Sequence, residues 1–138
     1  MKKHNREMTT ILKVRELRVD SLRRMQLIKA REMQEASDQI SSNLSELQDL
    51  KHNMIEAEQK TLASLTGQGF VKVDALVGFT KLQQDGVRRV NNQKLTIEES
   101  RLKYQQKVEE HQETMAKALH AEKRWMGLQE ILKGEPWN

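Results

Sequence analysis

The chain has 138 residues, of which 36% are hydrophobic, 4% aromatic and 32% charged. That balance excludes a broad compact core, while a single proline and regularly spaced apolar residues argue against disorder. Net charge is +4 and unevenly placed: residues 1–33 hold ten Lys/Arg against four acids, and residues 34–66 hold two against six. A basic stretch followed by an acidic one points to an anionic partner near the N-terminal end.

The absence of cysteine excludes disulfides and thiolate metal sites and makes a reducing cytoplasm the natural compartment. The basic N-terminus MKKHNREMTTILKVRE has no apolar segment of the kind a signal peptide requires. No apolar run is long enough for membrane insertion.

In chain order, the first predicted element is a helix over about residues 6–65. Met8 to Leu65 contains no Gly or Pro, and Asn5 is placed to cap the start. A stripe at three- and four-residue spacing runs through Met8, Leu12, Arg15, Val19, Leu22, Gln26, Lys29, Met33, Ala36, Ile40, Asn43, Leu47, Leu50, Met54 and Ala57.

A turn is expected over about 66–72, where Gly67 and Gly69 in SLTGQGFVKV permit positive φ. The glycine pair lacks the third glycine of a dinucleotide loop and the Gly-Lys-Ser/Thr ending of a phosphate loop. Asp85-Gly86 is the competing break. The second helix is expected over about 73–133, capped by Asp74 and ended by Gly134 and Pro136. Its stripe reads Leu76, Thr80, Gln83, Val87, Val90, Lys94, Ile97, Arg101, Tyr104, Val108, His111, Met115, Ala118, Glu122, Trp125 and Gln129.

Folding the chain at its midpoint pairs residue i with 137 − i. Met33 then meets Tyr104, Ile40 meets Ile97, Leu47 meets Val90 and Leu12 meets Trp125. Arg15 meets Glu122, and Asn43 meets Lys94. The expected fold is all-α: two long helices forming one antiparallel coiled-coil hairpin domain. Its polar seam, with Lys29, Lys94 and Arg101, makes it marginally stable alone and disfavours wrong registers.

Little in the chain points to chemistry. The histidines, His4, His52, His111 and His120, are scattered without the repeated Glu-x-x-His pattern of a bundle metal site. No nucleophile–base constellation or pocket architecture is visible, so neither an enzyme nor a cofactor is expected. The basic segment followed by heptads is also the layout of a zipper-like DNA-binding protein. Yet Glu7, Glu16, Asp20 and Glu32 interrupt the basic run, and apolar residues continue through it, as expected of a protein that binds no nucleic acid. A scaffold or chaperone-like adaptor that completes a larger bundle is a further alternative.

The stretch ILKVRELRVDSLRRMQLIKAREMQEA, Ile11 to Ala36, resembles the stalk proteins of type III secretion. These are the YscO-like proteins of injectisomes, which serve virulence, and their flagellar FliJ-like relatives. The resemblance implies a helical hairpin similar to the γ-subunit shaft of rotary ATPases, and no enzyme activity. It implies a protein-transport role at the cytoplasmic base of the export apparatus, as a monomer when isolated. The end carrying both termini would enter the hexameric secretion ATPase, where Arg15, Arg18, Arg23, Arg24 and Trp125 would make the contact. The tip, with Gly67, Gln68, Gly69, Phe70, Phe79 and Leu82, would face the cytoplasmic ring of the export gate. Secretion chaperones are further expected partners. The fuller aromatic set of the flagellar relatives is not reproduced, because the first helix has no aromatic residue.

Overall fold

A computed structural model describes residues 2–67 and 72–134, with side chains described from Arg6 onward. Two α-helices, α1 (Lys2–Thr66) and α2 (Val73–Gly134), pack against each other as an antiparallel hairpin. Gln68, Gly69, Phe70 and Pro136 lie outside the described residues.

Three end signals act differently from expectation. Asn5 lies inside α1 rather than capping it. Gly67 extends the helical pattern, donating to the Ala63 carbonyl at 3.2 Å, and does not take a positive φ. At the start of α2 the Lys72 carbonyl accepts from the Ala75 and Leu76 amides, at 3.1 and 3.2 Å, so Lys72 holds the capping position. Asp74 sits in the first turn instead, where a carboxylate favourably meets the positive end of the helix dipole. The bend left open at Asp85-Gly86 does not occur, because α2 runs through it.

The pairing differs from the midpoint fold. Met54 packs on Gly86, whose numbers sum to 140, and Lys29 with Glu110 and Glu32 with Lys107 sum to 139. The stripe expected on α1 is covered throughout from Met8 to Ala57. On α2 every seventh position is as expected: Val90, Ile97, Tyr104, His111, Ala118 and Trp125 are buried or half-buried. Of the positions between them, Val108 and Glu122 are half-buried as expected and three are not. Lys94, Arg101 and Met115 are exposed, and Gln93, Ser100 and Thr114 turn inward in their place. Towards the tip Leu76, Thr80, Gln83 and Val87 are exposed, while Ala75, Phe79, Leu82 and Gly86 are covered. Leu82, Gly86 and Val90 follow in two successive steps of four, which moves the phase of the stripe by one residue.

The hairpin divides into two compact units: residues 1–35 with 104–138, here the terminal unit, and residues 36–103, the tip unit. In the tip unit Ala36, Val90 and Ile97 are buried around Asn43, which is only 3% exposed. Asn43 has both ends of its side-chain amide engaged. Its side-chain amide donates to Ser100 Oγ at 2.6 Å and accepts from Gln39 at 2.9 Å, and its backbone carbonyl accepts from Gln93 at 2.9 Å. A satisfied polar layer of this kind penalises register slips, which would leave its groups unpaired. In the terminal unit the buried side chains are Val19, Thr114, Ala118 and Ala121.

Gly86 is a packing glycine: a Cβ there would lie 2.5 Å from Met54 Sδ and 2.7 Å from its Cγ. Gly78, in the same helix, faces open space. Gly78→Ala should therefore raise unfolding stability by about 1 kcal/mol through helix propensity alone. Gly86→Ala should gain less, because Met54 must move, and should recover the full gain in a Met54→Ala background. Urea unfolding of the four variants checks this; equal gains at both glycines in the native background would contradict the close packing.

Candidate functional site

A cluster of basic side chains lies in the terminal unit. Arg15 and Arg18 of α1 and Lys117, His120 and Arg124 of α2 line a shallow groove of about 80 Å³, with Ala121 beside them. Among the described residues no carboxylate lines it. The local sequence explains the arrangement. Arg18 precedes the buried Val19, and Lys117, His120 and Arg124 precede the seam positions Ala118, Ala121 and Trp125. At 3.6 residues per turn, these flanking positions of two antiparallel helices come to the same side of the seam.

The remaining arginines expected to act with Arg15 and Arg18 are placed elsewhere. Arg23 is ion-paired with Glu122 on the opposite flank of the seam. Arg24 bonds the Asp20 carbonyl of its own helix at 3.4 Å and points away from the seam. The pairing of Arg15 with Glu122 is thus replaced by Arg23 with Glu122. Helix geometry disperses the four arginines, and α2 supplies two cations, Lys117 and Arg124, and His120, which α1 alone does not reveal. Their signal was legible as Lys117, His120 and Arg124 at three- and four-residue spacing.

Two donors near this groove stand out. The Arg15 Nε–H and the Trp125 indole N–H are buried and have no hydrogen-bond partner among the described residues. Buried donors are ordinarily paired, so both are ready for an acceptor if the surface is covered or shifts.

Further along the same unit, Lys29, Glu32, Lys107 and Glu110 form a cross-helix tetrad. Lys29 Nζ lies 3.2 Å from Glu110 and 3.4 Å from Glu32; Lys107 Nζ lies 3.3 Å from Glu32 and 3.5 Å from Glu110. The hydrogen bond from Lys107 holds the Glu32 carboxyl below its ordinary value, and that from Lys29 does the same for Glu110. Lys29 is raised, chiefly by its bond to Glu110.

The tip positions separate as well. Phe79 and Leu82 are half-buried on the seam, and Leu82 lines a groove of about 300 Å³ with Leu50, Met54, Ala57 and Gly86. Gly67 is exposed at the end of α1. Gln68, Gly69 and Phe70 fall outside the described residues.

Among the described residues no group of three or more His, Asp or Glu side chains could hold a metal, and no helix is long and apolar enough to cross a membrane. His52 pairs instead with Glu56 at 3.1 Å on an exposed face. A scan against protein-family models, a search of curated proteins and a search of solved structures each found no match. The groove is therefore the feature from which a function can be reasoned.

The tetrad sets the sign of a pH effect. Carboxyls held low in the folded state stabilise it above the free glutamate value of about 4.3, and that stabilisation is lost as pH falls through the folded values. Lysine held high stabilises below the free lysine value of about 10.4 and loses this as pH rises past the folded one. Glu32→Gln with Glu110→Gln should lower the melting temperature at pH 7 and approach the native protein at pH 3. Thermal melts by circular dichroism check this; a difference that persists at pH 3 would assign the loss to packing.

Proposed function

We propose that the chain is a non-enzymatic stalk of a bacterial type III secretion apparatus. Its terminal unit would hold the hexameric secretion ATPase and promote its assembly and activity. Its tip would reach the export-gate ring, and secretion chaperones would be further partners. The observation that carries this reading is the cationic groove in the unit that holds both chain ends, with no carboxylate among its lining residues and, among the described residues, only its Lys117 paired, to Glu113. It is joined by the hairpin fold and by the likeness of Ile11–Ala36 to stalk proteins.

The groove favours contact with an acidic protein surface. Arg15, Arg18, Lys117 and Arg124, gathered in one groove, create a local positive potential that accelerates encounter and sets orientation. Arg18 and Arg124 are exposed members of that set and have no carboxylate among the groove's lining residues. Arg24, bonded to its own backbone, is a weaker candidate.

The test is stimulation of a purified secretion ATPase from the same organism, with hexamer formation followed by light scattering. The native chain should stimulate. Arg18→Glu with Arg124→Glu should raise the half-maximal concentration by roughly tenfold or more, equivalent to about 1.4 kcal/mol, and Arg24→Glu should change it little. Equal stimulation by all three would remove the groove from the interface; absence of binding by the native chain would remove the function.

A further inference from the structure

The flank that carries the cationic groove also carries uncovered apolar side chains. On α1, Arg18 belongs to a row at three- and four-residue spacing: Ile11, Val14, Arg18, Ser21, Met25 and Ile28. Four of these are large and apolar, and they range from 44% exposed at Met25 to 60% at Val14. On α2 the opposing row is Lys117, His120 and Arg124, all exposed, and continues at Glu113, an exposed carboxylate that pairs with Lys117 at 3.3 Å. Beside the apolar edge on α1, the face therefore has a basic edge on α2 over residues 117–124. From Ile11 to Ile28 it extends roughly 26 Å at 1.5 Å per residue.

We propose that this face docks one amphipathic helix of a partner protein. Its apolar stripe would lie on Ile11, Val14, Met25 and Ile28, and its acidic flank on Lys117, His120 and Arg124. The terminal unit would then become a three-helix bundle. This rests on reading the terminal unit as the partner-binding end, and it does not depend on the partner being a secretion ATPase.

A helix is the shape the spacing selects. Apolar positions three, four and seven apart over several turns are how helices present anchors to one another. Charge complementarity selects its acidic flank. A second copy of this chain is disfavoured, since apposing two such faces would bring their cationic rows together. Nucleic acid would leave four aliphatic side chains against phosphates. A lipid surface is less suited because Arg18 and Ser21 break the apolar row and α1 has no aromatic to sit at the headgroups. The Lys117–Glu113 pair, 3.3 Å apart and largely exposed, is a readily replaced contact at the groove's edge.

The test uses the full chain and a fluorescently labelled helical peptide of about 21 residues, enough at 1.5 Å per residue to cover the face. It carries leucine at the stripe and glutamate at the flanks, with a scrambled peptide of equal charge and a twin with lysine for glutamate as comparisons. Anisotropy should show the designed peptide binding roughly tenfold or more tightly than either comparison. Val14→Asp with Ile28→Asp, and separately Arg18→Glu with Arg124→Glu, should each weaken it by a similar factor with helical content unchanged. Arg88→Glu, in the tip unit, should have no effect.

Equal binding of the scrambled peptide would overturn the proposal in favour of diffuse charge. Binding to anionic vesicles, or concentration-dependent self-association abolished by Val14→Asp with Ile28→Asp, in place of peptide binding would overturn it too. So would failure of all the peptides to bind. If the designed peptide binds but no secretion ATPase is stimulated, the docking face stands and the stalk reading fails. If the native chain stimulates that ATPase but binds no designed peptide, the stalk reading stands and the docking face fails.

Discussion

Two helices can bury only what faces the line between them, and here that line is thinly furnished. Alanines at 36, 118 and 121, a glycine at 86, Asn43 and Thr114 occupy it alongside Val19, Val90 and Ile97. Small residues allow close approach of the backbones, as Met54 over Gly86 shows, but they remove little apolar area from water. Register then depends on specific fits and polar pairs. The Asn43 layer in the tip unit and the Lys29–Glu32–Lys107–Glu110 tetrad in the terminal unit each make a slipped pairing unfavourable.

A narrow seam also decides what remains outside. Large aliphatics that a globular core would have absorbed stay uncovered on both helices, including Val14, Leu27, Leu95 and Leu102. Most are scattered singly, which is ordinary for a protein surface. The row beginning at Ile11 is different because it runs beside a cationic row. The same register that places Arg18 beside Lys117, His120 and Arg124 takes Arg23 to Glu122 on the other flank. Charge is thus sorted by face rather than by segment, and a run of arginines in sequence is not a patch in space.

Much of the fold was legible in the residues. The α1 stripe could be read because its positions keep strict heptad spacing from Met8 to Ala57, and the break between the helices because glycines interrupt two long runs of helix formers. The α2 stripe was fully legible at every seventh position from Val90 to Trp125 and only partly between those positions, at Val108 and Glu122. At the others the more apolar or longer side chain was the natural choice, Met115 over Thr114 and Arg101 over Ser100, yet the smaller neighbour is the one that fits against α1. Near the tip, two steps of four through Gly86 carried the stripe off a strict heptad. One wrong phase on α2 sufficed to shift the pairing by two to three residues. For the groove, the basic bias of the first 33 residues marked α1, while on α2 overall charge is near balance and only the spacing of Lys117, His120 and Arg124 carried the signal.

Which side chains share a face follows from that pairing, so the groove and the docking face both depend on register. The chain has no cysteine of its own, which makes an engineered cross-link unambiguous. A Cβ at position 86 would lie 3.8 Å from Met54 Cβ, the separation typical of a disulfide. The decisive measurement is therefore disulfide formation under mild oxidation. Met54→Cys with Gly86→Cys should close rapidly, while Met54→Cys with Gln83→Cys, the pair demanded by the midpoint fold, should remain reduced. Preferential closure of the second pair would contradict the register, and with it the groove and the docking face.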